Sequence, residues 1–463
     1  MCKLCMDYIK KNILFILMII ACFVLGVIYV NQSARDIVFM DFWRNGKQLI
    51  PAVMEKKCTF QTFWGATGGQ RNFLQMFLFA LNIQFLKLNC MWEVYGGICI
   101  LILSIILVYI VWGKMIDNIK IKQKNIIKQI LFLPVIFSIT NLNQWEILSL
   151  QFSFVFMLRI FSFLLIFAVL NQGLKKNIYS PKLFGRIGIF AGFVICFLSQ
   201  LYFPAMLFSI IAVFLLKMFG GVSKDKIKEF FCFFIPCIVA VVYYFYNIET
   251  SNITGGIALL WDTLKSGDFF MGLLYMLVGS MIPQTTIEKM NMPQITEVGF
   301  VLLGIVVVAI VLYFRLKIYE YSHFPLMLIM YGLISIPIII YGRVNIFSLY
   351  YLTSSRYVCE TTLIWVGCTL IFAFIIINNS KQILKIITGL SIVVITIIIF
   401  NTDLKEFRIA PYRGFYKEEL LTTLKEFDES EIDDDTLSLF QAPVDIVREV
   451  IILMKKYHLN VYK

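Results

Sequence analysis

Two aspartates, Asp36 and Asp41, follow the first long apolar run within about a dozen residues. They stand among polar groups that packing alone gives no reason to gather: Asn31-Gln-Ser-Ala-Arg-Asp36 and Asp41-Phe-Trp43-Arg44. Further along come Gly69-Gln70-Arg71, Gln144-Trp145-Glu146 with Gln151, Gly342-Arg343, and Ser354-Ser355-Arg356-Tyr357. A carboxylate can take a proton from a hydroxyl. An arginine can hold an anionic oxygen pair through two parallel hydrogen bonds. Tryptophan and tyrosine favour membrane–water boundaries. For these groups to work together, the segments between them must deliver all of them to one side of a membrane.

Those segments are strongly apolar. Of 463 residues, 60% are hydrophobic and 15% charged, with a mean hydropathy of +0.82. A soluble domain runs near 45–50% apolar and about 25% charged. The difference excludes a soluble enzyme, a disordered chain and a nucleic-acid module. Apolar runs near 20 residues recur, each long enough to cross a hydrocarbon core of ~30 Å as a helix. The fold class is therefore an all-α polytopic membrane protein. The net charge of +12 reflects topology and not a nucleic-acid partner. Residues 403–463 carry 9 basic against 13 acidic side chains, which leaves 32 basic against 16 acidic elsewhere, clustered in short loops as the positive-inside rule expects. Most of the eleven cysteines sit inside apolar runs and behave as small hydrophobes; Cys2 and Cys5 form a lone CxxC without the second pair a zinc site needs.

Lysine placement sets the path. Lys3, Lys10 and Lys11 precede Ile13–Val30, an uncleaved first span with its N-terminus inside. The segment from Asn31 to about Asn72 is then outside, and 73–91, interrupted by Gln75, Asn82, Gln84, Lys87 and Asn89, reads as an interfacial amphipathic helix. Residues 95–113 return inward to Lys114, Lys120, Lys122, Lys124 and Lys128. Two hairpins follow, 129–142 with 147–170 and 187–200 with 204–217, their inner ends marked by Lys175, Lys176, Lys182, Arg186, Lys217, Lys224, Lys226 and Lys228. Residues 230–246 lead outward. Parity then requires that 269–283, weakened by Gly272, Gly279 and Pro283, be re-entrant. Spans 298–314, 323–341, 357–377 and 384–400 complete about 11 transmembrane helices. The division is a transmembrane domain over 1–400, with its outer loop at 31–93, and a small helical extracytoplasmic domain over 401–463. The tail pairs the apolar sets Leu420, Leu421, Leu424, Phe427 and Val444, Val447, Val450, Ile451, Met454 around Asp433-Asp434-Asp435, a solvated turn without EF-hand spacing.

Common catalytic signatures are missing from the sequence. Gly65-Ala-Thr-Gly-Gly69 lacks the GK[ST] of a phosphate loop, there is no HExxH or GxSxG, and the two histidines, His323 and His458, have no partner at ligand or triad spacing. Arg159 lies in mid-span, where a charge needs a partner or an internal path.

A long first outer loop with acids just after the first span, interfacial helices and an extracytoplasmic tail resembles the GT-C class of membrane glycosyltransferases. More narrowly, Asp41-Phe-Trp, Gly69-Gln-Arg71, Gln144-Trp-Glu146 with Gln151, Gly342-Arg343 and Ser355-Arg356-Tyr357 resemble, in order, the short motifs of a family of bacterial multispanning proteins. The resemblance covers nearly the whole chain through motifs of two to four residues. It implies transfer of a sugar from a polyprenyl-phosphate-linked donor to a cell-envelope glycan or lipid acceptor, on the outer side of the bacterial cytoplasmic membrane. Asp41, or alternatively Asp36, is then the general base. Arg71, Gln144, Trp145, Glu146, Arg343, Arg356 and Tyr357 are the expected substrate-binding residues. No cofactor is required by the residues, and a divalent cation stays open, although Gln70 stands where the family tends to have histidine. A flippase or polymerase of envelope polysaccharide is the alternative reading.

Overall fold

The computed structural model describes residues 3–67, 70–117, 119, 123–175, 181–219, 221, 223–248, 257–343, 348–427 and 434–463. Of the residues singled out above, Cys2, Gly68, Gly69, Lys120, Lys122, Lys176 and Asp433 lie outside the described residues.

The chain is built almost wholly of helices. In order they are α1 (Lys3–Ser33), α2 (Phe42–Met54), α3 (Phe60–Trp64), α4 (Phe73–Leu86), α5 (Met91–Ile116), α6 (Lys124–Ile130), α7 (Leu133–Thr140), α8 (Trp145–Ser149), α9 (Ser153–Lys175) and α10 (Pro181–Phe197). There follow α11 (Phe203–Phe219), α12 (Lys224–Phe245), α13 (Ile257–Ser266), α14 (Asp268–Gly279), α15 (Gln284–Ile287), α16 (Met292–Arg315) and α17 (Phe324–Arg343). The last are α18 (Val358–Asn378), α19 (Gln382–Lys425), α20 (Asp434–Ser438) and α21 (Val444–Lys456). A two-residue hairpin, β1 (Ala66–Thr67) against β2 (Gln70–Arg71), is the only sheet among the described residues.

Nine helical stretches among the described residues are long and apolar enough to cross a membrane. They begin at Lys10, Met91, Lys124, Ser153, Lys224, Met292, Phe324, Ser355 and Gln382. Helices α10 and α11 have 17 residues each, about 25 Å, and are shorter than these. The expected span 147–170 is displaced. The chain breaks after α7, makes a turn of 3-10 helix at Leu142–Gln144 and the short α8, and the long helix starts only at Ser153. The polar run Asn141-Leu-Asn-Gln-Trp-Glu146 explains the break, because its side chains take hydrogen bonds that would otherwise stay within a helix. Asn141 Oδ1 accepts from Asn143 N at 3.0 Å and Gln144 Nε2 donates to Ile139 O at 2.9 Å, while Asn141 Nδ2 and Asn143 Nδ2 donate to the carbonyls of Ser280 and Gly279 at the end of α14.

Antiparallel alternation gives the bundle two ends. At one, the lysine-rich turns gather: Gln129 Oε1 accepts from Phe15 N, Trp112 Nε1 donates to Lys128 O, and Lys217 pairs with Glu229 at 3.0 Å. At the other, here called the head, lie residues 34–90, the 141–152 break and everything after about residue 401. Both the end of α12 and the start of α16 lie at the head, so α13 and α14 between them add no net crossing; Gly279 sits tightly against Thr353 there.

Two apolar cores result. The larger fills the bundle. The second lies in the head and is shared: Phe42, Trp43, Leu49 and Ile50 of α2 and Phe79 and Ile83 of α4 pack with Leu420 and Leu424 of α19 and Val447, Val450 and Ile451 of α21. The tail thus has no separate core of its own among the described residues. Helix α19 joins the two cores, with 44 residues and a length of about 66 Å.

Close helix packing depends on a few glycines. A Cβ at Gly97 of α5 would lie 1.9 Å from Ser153 Oγ at the start of α9. Overpacking of this kind costs about 1–3 kcal/mol. Gly97→Leu should therefore lower the thermal unfolding midpoint of the purified protein by several degrees. Gly304→Leu, at a position with nothing within 4 Å, should leave it unchanged.

Candidate functional site

The break at 141–152 is also where the polar residues meet. Glu146, in the first turn of α8, is nearly buried and receives four donors from one loop. Ser354 Oγ reaches its Oε2 at 3.1 Å, Arg356 N at 3.2 Å and Arg356 Nε at 3.2 Å, while Arg356 Nη2 reaches Oε1 at 3.4 Å. The ion pair is therefore bidentate and charge-assisted, the geometry in which such bonds are strongest. It is only partly dry, with side-chain exposures of 30% for Arg356 and 11% for Glu146.

The first outer loop closes over this pair. Gln151 Nε2 donates to Phe39 O at 2.5 Å, and Arg356 Nη2 lies 3.9 Å from Met40 Sδ. Asp41 is the next residue. It is exposed, caps nothing and has no ion-pair partner among the described residues. Its neighbours hold it there, because Phe42 and Trp43 are fully buried, the first against Phe79 and the second against Phe440. Aromatic groups line the other side. Tyr351 lies under the Arg356 guanidinium at 5.6 Å, and Tyr357 lies edge-on to Tyr351. Arg343, at the head end of α17, is half-buried and has no ion pair among the described residues. Four dispersed segments thus place Asp41, Glu146, Gln151, Arg343, Arg356 and Tyr357 around one end of the bundle.

The other expected residues are employed elsewhere. Asp36 is a clamp: its Oδ1 accepts from Cys90 N at 2.7 Å and Asn460 Nδ2 at 3.2 Å, and its Oδ2 pairs with Lys463 at 3.2 Å. It fastens the start of α5 to the chain's last residues. Arg71 is buried and donates to the carbonyls of Trp64, Tyr244 and Tyr246, which joins β2 to the end of α12. Burial lowers the pKa of its guanidinium. Gln144 donates to Ile139 O at 2.9 Å and stabilises the break. Trp145 turns the opposite way from Glu146 and lies 4.0 Å beneath the guanidinium of Arg413, which pairs in turn with Glu406. Among the described residues no three His, Cys, Asp or Glu side chains gather as metal ligands.

A second ionic network lies directly below, and only Arg159 signalled it. Arg159 of α9 pairs with Glu360 of α18 and with Gln200, and Tyr331 of α17 donates to the same carboxylate. Arg159 is 1% and Glu360 0% exposed. Glu360 follows the Ser-Arg-Tyr motif by three residues, close enough to the head to read as an interfacial acid. Lys417 of α19 is equally buried and donates to Ser149 O at 2.8 Å and Ser149 Oγ at 3.1 Å. It holds the C-terminal end of α8 and so positions Glu146.

A buried pair broken on one side leaves an uncompensated charge, which costs about 3–5 kcal/mol. Arg159→Leu and Glu360→Leu should each sharply reduce the yield of folded protein. The double substitution should recover part of it, as measured by size-exclusion profiles and thermal unfolding; additive losses would show that the two do not act as a pair. No family model matches the chain, and no curated protein is similar to it at a significant level.

Proposed function

We propose that the protein is a membrane glycosyltransferase that moves a sugar from a polyprenyl-phosphate-linked donor to a cell-envelope acceptor on the outer side of the bacterial cytoplasmic membrane. The observation that carries this reading is the meeting of Asp41, the Glu146–Arg356 pair, Arg343 and Tyr357 at the head, where the apolar helices end and a lipid phosphate would lie. In the reaction, the acceptor oxygen bonds to the anomeric carbon, the bond from that carbon to the phosphate oxygen breaks, and the lipid phosphate leaves with the electron pair. Asp41, exposed and unpaired, takes the acceptor's proton. Arg343 meets the departing phosphate. Arg356, already charge-matched by Glu146, presents its remaining donor edge and fixes the loop that carries Tyr357. The aromatic faces of Tyr351 and Tyr357 offer a surface for the apolar side of a sugar ring. In this reading the nine long helical stretches and α10 and α11 each cross once, which puts the termini on opposite sides, and the lysine-rich turns assign the N-terminus to the inside and the C-terminus to the outside.

Purified protein in lipid nanodiscs, supplied with polyprenyl-phosphate-linked sugars and envelope lipid or glycan acceptors, tests the chemistry. Asp41→Asn should lose about 10²- to 10⁴-fold in turnover. Arg343→Lys should lose roughly 10- to 150-fold, with a raised donor KM, because one arm of a charged hydrogen-bond pair is gone. Full activity in Asp41→Asn, or no transfer by the wild type, would overturn the reading.

Orientation is tested separately in a cysteine-free background. Lys47→Cys and Lys425→Cys, both exposed in the head, should react with an impermeant maleimide in intact cells. Lys224→Cys, at the lysine-rich end, should react only after permeabilisation. The reverse pattern would invert the topology.

A further inference from the structure

A cavity lies away from the Glu146–Arg356 contact, lined by α1, α5, α7 and α19. Its volume is about 650 Å³, within the range of small-molecule pockets. Helix α1 lines it from Met18 to Gln32, a length of about 21 Å at 1.5 Å per residue. That is roughly two thirds of a ~30 Å hydrocarbon core. Leu101 and Ile136 form the opposite wall, and charge enters only at the head end, through Asp403 and Arg408 of α19. These two differ. Asp403 accepts from Leu142 N at 2.7 Å, which ties its carboxylate to the 141–152 break at the cavity wall. Arg408 is exposed and has no carboxylate partner among the described residues.

Protein interiors are close-packed, and a water needs polar partners that these walls do not supply. A side-opening apolar channel within the depth of the bilayer takes hydrocarbon instead. We propose that this cavity binds one acyl chain of an anionic phospholipid, with Arg408 meeting the lipid phosphate. Charge complementarity selects the headgroup: an arginine free of carboxylates pairs with a phosphate diester through parallel hydrogen bonds, and it favours a lipid whose phosphate charge is not already cancelled by a cationic group such as choline. The site is distinct from that of the proposed donor. Glu146 faces Arg356, whereas the adjacent Trp145 faces Arg413 on α19, so α8 stands between the two. A lipid held there bridges α1 to α19, whose membrane-facing surfaces are largely exposed.

The test uses the full-length protein purified in detergent, with phosphatidylglycerol and phosphatidylcholine as probes, read by native mass spectrometry and thermal unfolding. The wild type should retain one phosphatidylglycerol, hold phosphatidylcholine about tenfold or more weakly, and unfold at a higher temperature when phosphatidylglycerol is added. Ala21→Trp, which puts an indole at a position lining the channel, should abolish retention. Arg408→Gln, at an exposed position, should weaken phosphatidylglycerol about tenfold and leave phosphatidylcholine unchanged. Equal retention of the two lipids, or unchanged binding in Arg408→Gln, would overturn the proposal. So would displacement of phosphatidylglycerol by equimolar polyprenyl phosphate, which would make the channel the seat of a prenyl chain. None of these variants alters Asp41, Arg343 or Arg356, so the sugar-transfer assay stands or falls independently.

Discussion

The carboxylate of Glu146 is the contact on which the head is organised. It sits where a membrane-crossing path is interrupted, and it satisfies the backbone and side chain of a loop more than 200 residues away. A helix that stops short of the interface leaves polar groups that must find partners. Here the partners are supplied by Gln144, which donates to Ile139 O, and by Lys417, which donates to Ser149 O, and the charge of Glu146 is matched by Arg356. The 3-10 turn, the short α8 and the Ser-Arg-Tyr loop each depend on this arrangement, and the exposed Asp41 takes its place from the loop that closes over it.

Beneath that contact, the Arg159–Glu360 pair shows how charge is tolerated within the apolar bundle. The guanidinium lies against the faces of Phe156 and Tyr202 and is bonded to Gln200, and the carboxylate is shared with Tyr331. These partners come from different helices, so the network joins α9, α17, α18 and the α10–α11 turn. This is a reason for a membrane protein to keep two charges that cost several kcal/mol each to bury.

The helices and their order were readable because their cause is local: run length, hydropathy and lysines at one set of ends. The displaced start of α9 was harder, since an apolar run beginning at Ile147 gives no hint that Trp145 and Glu146 are drawn in opposite directions by Arg413 and Arg356. Asp36 and Asp41 look alike in sequence, both acids soon after a span. Their difference lies in partners hundreds of residues away, Asn460 and Lys463, which Asp36 has and Asp41 lacks. Arg71 likewise reads as a binding residue until its three carbonyl acceptors are seen. Glu360 and Lys417 were overlooked because burial of a charge near a helix end depends on the tertiary packing around it.

The shared core of the head has a consequence for biogenesis. Most of its residues come from the first outer segment, Ile37 to Cys90, and from Leu420 to Leu459, with Leu150 and Phe152 between them. Domains generally form as units, beginning with the parts synthesised first. Here the early half of the unit is covered only in part, Phe42 by Phe79 and Phe79 by Phe152, until α19 and α21 have been made. Trp43 must wait through the insertion of every intervening helix for its contact with Phe440, and a chain truncated before Phe440 lacks it. The arrival of α21 is thus the event that completes the core on which α2, and with it the position of Asp41, rests.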